Sequence, residues 1–352
     1  GENDPRRDSG FTIFYMGINI GAFIATLLCG YLGETLGWRY GFGAAGIGML
    51  IGLVIFLCGQ RYLHNHAEPS DLAKLKEPIS PRFGGLYLNR ECLIYIGGLI
   101  SVVGIWQLVQ ATHWVEWSLN GLSIVVATGI LWFILTRCNT VERGRMSVLM
   151  VLTFSTVVFW ALFEQTAASM TLYADRVVDR ELLGFEIKAS QFGALNPMFI
   201  MLLAPLFALL WTGLSKRKCE PATPTKFSLG IIQAGLGFGA LVIGAYFPDE
   251  SGKVAAIWLM LAYLLHTTGE LCLSPVGLSA VTKLSVPRIV GVMMGTWFLA
   301  TAYSEFMAAQ IAKLAAVGRP LQNFTDVGAD IQADRIGQLN RSHRHAECFR
   351  RR

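Results

Sequence analysis

The sequence predicts an all-α, polytopic membrane protein, and three observations predict it. The 352 residues are 53% hydrophobic and only 15% charged, where a soluble chain carries about 25% charged residues. Mean hydropathy is +0.48. The apolar residues also come in blocks of about twenty, the number a helix needs to cross a bilayer core. A water-soluble fold would have to bury more apolar sequence than one core ordinarily holds, and the same surplus excludes disorder. The 37 glycines keep no three-residue period, which excludes collagen. Seven cysteines, none spaced as CxxC, make no disulfide framework in a chain this long.

Nine stretches are long and apolar enough to cross: 11–33, 38–59, 91–111, 117–137, 146–173, 190–213, 227–247, 254–280 and 288–316. Each is expected to be a helix, because lipid offers backbone amides no other partner. Residue 1 is Gly in the polar start GENDPRRDSG, so the chain reads as a piece of something longer. The first two spans are split by the short GETLGW. The segment 60–90, QRYLHNHAEPSDLAKLKEPISPRFGGLYLNR, is the one substantial linker, polar and Pro-containing. Short loops elsewhere imply antiparallel neighbours. GxxxG pairs at Gly17/Gly21, Gly48/Gly52, Gly235/Gly239 and Gly291/Gly295 are expected to bring helix backbones close.

Nine alternating spans sort the loops into two sets. The set containing residues 1–10 and 60–90 holds sixteen Lys and Arg; the other holds five. Residue 1 and the long linker are therefore expected in the cytoplasm. That sends the tail after 317 outside, against its own seven arginines. The net charge of +5 follows this loop placement and is no signal for nucleic acid.

Charges at membrane depth cost about 2.5–3.5 kcal/mol each on insertion scales, so they are the informative residues. Glu164 lies in VVFWALFEQTAASM and Glu270 in LAYLLHTTGELCLSPVG, with His266 one turn before it. Glu305 lies in TWFLATAYSEFMAAQ, Asn19 in FYMGINIGAF and Asn196 in GALNPMFIMLLAP. A glutamate in a membrane helix must be neutral or paired, and either state suits a proton carrier. The two asparagines read equally well as structural glue between helices. Glu305 reads as facing a partner helix, and His266 as a packed neutral residue. Pro197, Pro205 and Pro275 are expected to bend their helices, as in transporters that build substrate sites from kinked helices. No P-loop, GxSxG or HExxH is present. The HxH pairs His64/His66 and His343/His345 have no further ligand at metal spacing. Bound nucleotide is thus unsupported as an energy source, and a proton gradient acting on the buried acids remains.

These residues carry a resemblance. FTIFYMGINIGAF is similar to the second signature of the proton-dependent oligopeptide transporters, a branch of the major facilitator superfamily. GETLGWRYGFGAAGIGM, FWALFEQTAASMTLYADR, LNPMFI, GELCLSPVGLS and MMGTWFLATA continue it in the family's order over residues 8–316. The set looks closest to the dipeptide and tripeptide permeases of enteric bacteria. The resemblance implies a partial major-facilitator bundle. Residues 1–59 would be the last two helices of the N-terminal bundle, 60–90 a cytoplasmic linker and 91–145 an inserted hairpin. Residues 146–317 would be helices seven to eleven, and 318–352 a polar tail outside the family pattern. The first four helices and helix twelve are missing, and the tail is expected to come from a frameshifted or rearranged frame, with a genuine tail as the rival.

The resemblance also implies roles. Glu270 matches the acid that holds a peptide's amino terminus, and Glu164 one implicated in proton coupling; both are assigned to coupling. Asn19 and Asn196 match amides that bond the peptide backbone, and Ser274 and Trp297 match pocket-lining positions. The implied function is proton-coupled symport of dipeptides and tripeptides across a bacterial inner membrane by alternating access, impaired in this chain. The partners would be short peptides, protons and membrane lipid, with no cofactor and no enzymatic activity. A related substrate, small and nitrogenous or peptide-like, and a non-transporting fragment stand as alternatives.

Overall fold

A computed structural model describes residues 6–63, 72–77, 89–182, 184–250 and 252–317. The expectations for the 318–352 tail, for most of the 60–90 linker and for the two HxH pairs lie outside these residues.

Helix α1 (Arg6–Leu36) turns directly into α2 (Trp38–Gly59). Gly37 makes the turn at φ 113°, a conformation that costs glycine no Cβ clash. Its N–H reaches back to the Leu32 carbonyl at 3.2 Å. After the short α3 (Leu72–Lys76) comes a hairpin of α4 (Arg90–Gln110) and α5 (Thr112–Arg137). The side chain of Asn89 caps α4, accepting from the Cys92 N–H at 2.8 Å. Only Ala111 separates the two helices, so the expected loop at 112–116 is already helical. There the Trp117 indole donates to His113 one turn earlier, at 3.0 Å.

Helix α6 (Thr140–Phe163) starts six residues before the expected 146, because Asn139 and Glu142 form a capping box with bonds of 2.9 and 3.0 Å. It gives way to a 3₁₀ turn over Glu164–Ala167 before α7 (Ser169–Arg176). Four two-residue strands follow: β1 (Val178–Asp179), β2 (Glu181–Leu182), β3 (Phe185–Glu186) and, further on, β4 (Val254–Ala255). Strands β2 and β3 form an antiparallel pair, and β1 runs parallel to β4 with Val178 opposite Val254. A 3₁₀ segment (Ala189–Ala194) leads into α8 (Leu195–Lys216), followed by α9 (Thr223–Gly244), α10 (Ala256–Leu284) and α11 (Val290–Val317).

Nine of these helices have 21 residues or more, and eight carry an apolar window sufficient to cross a membrane. Helix α11 is long enough at 28 residues but is diluted by Glu305, Gln310 and Lys313. One expected kink needs correction: Pro197 is the third residue of α8, where no hydrogen bond is forfeited, while Pro205 stands inside α8 and Pro275 inside α10. The break falls at 164–168, where no proline stands.

The apolar interior joins α5, α6, α9, α10 and α11 through Met146, Leu149, Phe159, Phe227, Leu273 and Met293. A second cluster around Met170, Phe192, Leu259 and Tyr263 holds the far end of the bundle. Helix α4 buries no residue, as befits an apolar helix with lipid around it.

Helix α10 packs most extensively on α9, and the contact is made by glycines other than those the GxxxG pattern picked out. All eight glycines of the four pairs have nothing near the position of an added Cβ. The close approach instead uses Gly230, Gly237 and Gly244, seven residues apart on α9. They meet the Gly269 carbonyl, the His266 ring and the Trp258 ring of α10. A Cβ on Gly230 would lie 2.9 Å from the Gly269 oxygen, and one on Gly269 would lie 2.8 Å from the Gly230 oxygen. The GxxxG expectation failed because spacing alone does not say which helix face meets a neighbour.

At the start of α9 the buried Lys226 ammonium bonds the Glu220 carboxylate at 2.5 Å and lies 4.5 Å over the Trp211 ring. The bond and charge of Lys226, with a hydrogen bond from Ser215, hold the Glu220 carboxyl below its usual range.

Gly230→Ala and Gly269→Ala are expected to destabilise the bundle by about 1–3 kcal/mol, as overpacking does, while Gly235→Ala and Gly239→Ala leave it unchanged. Thermal unfolding midpoints in detergent check both. Because the folded-state pKa of Glu220 is depressed, its stabilisation is present above the unfolded carboxylate value and is lost as pH falls through the folded one. Acid unfolding followed by circular dichroism should therefore show a shallower acid limb in Glu220→Gln.

Candidate functional site

The polar groups at membrane depth gather where α1, α8, α10, α11 and the break after α6 meet. Glu270, on α10, accepts a hydrogen bond from the Asn196 amide of α8 at 3.0 Å, and the same amide nitrogen lies 3.1 Å from the Thr267 hydroxyl. Thr267 in turn donates to the Tyr263 carbonyl at 2.8 Å. One amide thus ties α8 to two positions one turn apart on α10. Three residues between Thr267 and Glu270 put both side chains on one helix face.

Glu164 opens the 3₁₀ turn after α6. That turn packs against α11, the helix that carries Glu305. The turn is docked by its next residue. The buried Gln165 amide donates to the Ala161 carbonyl at 3.2 Å and to the Ala308 carbonyl of α11 at 2.8 Å, while its oxygen accepts from Ser169 at 2.8 Å. The bond to Ala308 holds the break against α11 one turn beyond Glu305.

Helix α1 brings in the remaining polar group. Asn19 is 6% exposed and donates to the Tyr15 carbonyl one turn back at 2.9 Å. Helix α1 packs along α8 and the 3₁₀ segment before it. Glu34 accepts from the Ser190 N–H at 2.8 Å, and Gln191 donates to the Leu27 carbonyl at 3.1 Å.

Of the residues singled out from sequence, Glu164, Glu270, Asn19 and Asn196 come together. Trp297 lies elsewhere: it is 7% exposed in the apolar core, edge-on to Phe227 at 6.4 Å, and its ring fills the space over Gly277. The side chain of Ser274 lies outside the described residues. His266 turns away from Glu270 toward α9, bonding the Ala234 carbonyl at 3.0 Å with its ring 5.0 Å from Phe238. Residues four apart on a helix differ by about 40°, enough for the two side chains to meet different neighbours. The sequence reading left out Tyr15, Gln165 and Thr267, and it set Glu305 aside. An acid one helix over from another acid was the available signal. Among the described residues no group of three or more His, Cys, Asp or Glu is arranged to hold a metal ion.

The chain is similar to known proteins. Residues 1–326 match a family described as the POT family (PTR2). The chain is 41% identical over 320 residues to "Uncharacterized transporter YclF" of Bacillus subtilis (strain 168), covering 89% of this chain and 62% of that protein. It is 38% identical over 324 residues to "Peptide transporter YePEPT" of Yersinia enterocolitica subsp. palearctica serotype O:3 (strain YE-P4), covering 88% and 61%. A crystal structure of a mutant of peptide transporter POT in complex with alafosfalin superposes with a TM-score of 0.67 at 32% identity, covering 92% of this chain and 64% of that one. The chain spans about three-fifths of the length of the curated relatives it matches.

Asn196→Ala removes the donor to Glu270, a hydrogen bond to an ionisable group of the kind worth about 1.5–3 kcal/mol. The unfolding midpoint of that variant in detergent should fall accordingly, while Asn196→Gln, whose longer amide can still reach the acid, should recover part of the loss.

Proposed function

The chain belongs to the POT family, and from that membership we propose that it forms the larger part of a proton-coupled symporter of dipeptides and tripeptides. It is a polytopic membrane protein of a transporter family, and we place it in a bacterial inner membrane. Residue 1 and the 60–90 segment then lie in the cytoplasm, in line with sixteen basic residues on that side against five on the other. In the family's numbering α1 and α2 would be helices five and six, α4 and α5 the inserted hairpin, and the helices from α6 to α11 helices seven to eleven.

The observation that carries the reading is the bond from Asn196 to Glu270 with Thr267 beside it. A carboxylate held on one side by an amide is oriented for an ammonium on the other, and charge-assisted bonds of this kind are about twice as strong as neutral ones. Glu270 would take the amino terminus of a peptide, and Asn196 and Asn19 would bond its backbone. Ser274 would border the pocket, while Trp297 packs in the apolar core away from it. Contacts to atoms that every short peptide shares would make selectivity broad.

Glu164 and Glu270 are the proposed coupling acids. A proton on either removes the charge that an ammonium or a second acid responds to, so proton load and peptide load bias the same equilibrium between inward and outward states. The proton gradient would be the energy source, with no cofactor. Helix α1 meeting α8 and its leading turn is the contact across which such a change would move.

Dialanine binding to the chain in lipid nanodiscs, measured by calorimetry, tests this reading. Glu270→Gln is expected to weaken binding at least tenfold, about 1.4 kcal/mol. Equal affinity in the two proteins would overturn the assignment of the peptide's amino terminus to Glu270.

A further inference from the structure

We propose that the groove between α5 and the start of α11 binds an anionic phospholipid of the cytoplasmic leaflet, with an acyl chain on its apolar floor and the phosphate on Arg137 and Arg288. The site stands apart from the polar cluster around Glu270 and does not depend on what the chain transports. The groove encloses about 330 Å³. Val126, Gly129, Ile130 and Phe133 of α5 fall at i, i+3, i+4 and i+7, one face of the helix. Ile289 and Val292, where α11 begins, form the facing wall, with Trp132 at the edge. Gly129 leaves the floor without a side chain, and a Cβ there would meet nothing within 4 Å. Behind the floor Ile130 belongs to the apolar core, and Phe133 and Ile289 pack against it. Trp132 and Val292 are 58% and 56% exposed, so the groove opens sideways to whatever surrounds the bundle.

Two adjacent rings of the groove each carry an arginine. The Arg137 guanidinium lies 5.8 Å from the centre of the Trp132 ring, and that of Arg288 lies 5.8 Å from the centre of the Phe133 ring, both within cation–π range. Arg288 also donates from Nη2 to the Arg137 carbonyl at 3.3 Å and meets the Glu142 carboxylate at 3.4 Å. All of its hydrogen bonds among the described residues come from Nη2, and a guanidinium has five N–H donors, so Nη1 and Nε remain to donate. The Arg137 side chain makes no hydrogen bond or ion pair among the described residues beyond its ring contact. Arg143 is committed to the Cys138 and Leu135 carbonyls, at 3.0 and 2.6 Å. Residues 137–145 and 281–288 hold five Lys and Arg against one acid, Glu142, and Glu142 is itself engaged by the Asn139 N–H and Arg288.

Positive charge directly beside an apolar furrow selects an anionic amphiphile. A basic pocket between membrane helices on the cytoplasmic side suits an anionic headgroup, and a guanidinium fork suits phosphate. Trp132 stands one turn from Arg137, as indoles do at the membrane–water boundary. A soluble anion would leave the furrow unfilled, and a zwitterionic lipid would bring a cation toward the same two arginines. Arg137 ends α5, and Arg288 sits in the 3₁₀ turn Pro287–Ile289 before α11. One phosphate on both would therefore tie the α4–α5 hairpin to the body of the bundle.

Native mass spectrometry of the full chain, released from nanodiscs of equal parts phosphatidylglycerol and phosphatidylcholine, tests the site. The chain is expected to retain phosphatidylglycerol in preference. Arg137→Gln and Arg288→Gln should each lower the ratio of the two retained lipids about fivefold, the effect of one basic side chain on an anionic surface. Gly129→Leu, which fills the floor, should lose the retained lipid, and Lys216→Gln, at the end of α8, should leave the ratio unchanged. Equal retention of both lipids, an unchanged ratio in the arginine variants or an equal loss in Lys216→Gln overturns the proposal. So does release of the lipid by millimolar inorganic phosphate, which would mark a plain anion site, or a lipid-free dimer that Gly129→Leu abolishes, which would give the groove to a second copy. Should the arginine variants lack native circular dichroism, quenching of tryptophan fluorescence by brominated lipids decides instead. Brominated phosphatidylglycerol should quench the unsubstituted chain more than brominated phosphatidylcholine, and the excess should vanish in Trp132→Phe; an excess that persists overturns the site. No peptide enters these measurements, so their outcome and that of the dialanine experiment are independent.

Discussion

Absence of water is the constraint from which the rest of this structure follows. In a hydrocarbon layer a backbone amide must bond within its own helix, and a carboxyl must find an amide, a hydroxyl or another acid. The backbone requirement gives nine long helices among the described residues. The side-chain requirement gathers Asn19, Asn196, Thr267, Glu270, Glu164 and Glu305 into one region, because each lowers the cost of the next. The hydrogen bond from Asn196 to Glu270 shows the principle at its smallest: a glue residue and an ionisable one become a single feature linking two helices.

Much of this was legible in the sequence, for physical reasons that also mark where legibility ends. The second span was expected at 38–59, and α2 occupies Trp38–Gly59, because apolar length is a one-dimensional property. Starts and breaks were harder. The capping box at Asn139 extends α6 beyond its apolar stretch, the proline rule pointed to Pro197, which stands in the first turn of α8, and the break at Glu164–Ala168 contains no proline. That break is built by Gln165, whose amide takes the carbonyls of Ala161 and Ala308. Its partner is 143 residues away, so no local pattern announces it.

The same limit explains the glycines and Trp297. A GxxxG pair says that a close approach is sterically open, while the neighbouring helix decides whether it happens. Gly230, Gly237 and Gly244 carry no short motif, yet their seven-residue spacing keeps them on the seam with α10. Trp297 in MMGTWFLATA looks like a pocket residue by its place in a motif, but its ring fills the space over Gly277. Resemblance transfers identity of position more faithfully than identity of surroundings.

The small parallel pairing of β1 with β4 has a consequence for motion. Val254 N–H bonds the Val177 carbonyl at 2.9 Å, and the Lys253 ammonium bonds the Arg176 carbonyl at 2.8 Å, so the leading end of α10 is pinned to the chain leaving α7. A helix of 29 residues is about 43 Å long. Gly230, Gly237 and Gly244 meet it along that length, so any rotation about the pinned end would carry α9 with α10 as one body. The strand pair, four residues in all, marks where such a hinge would sit.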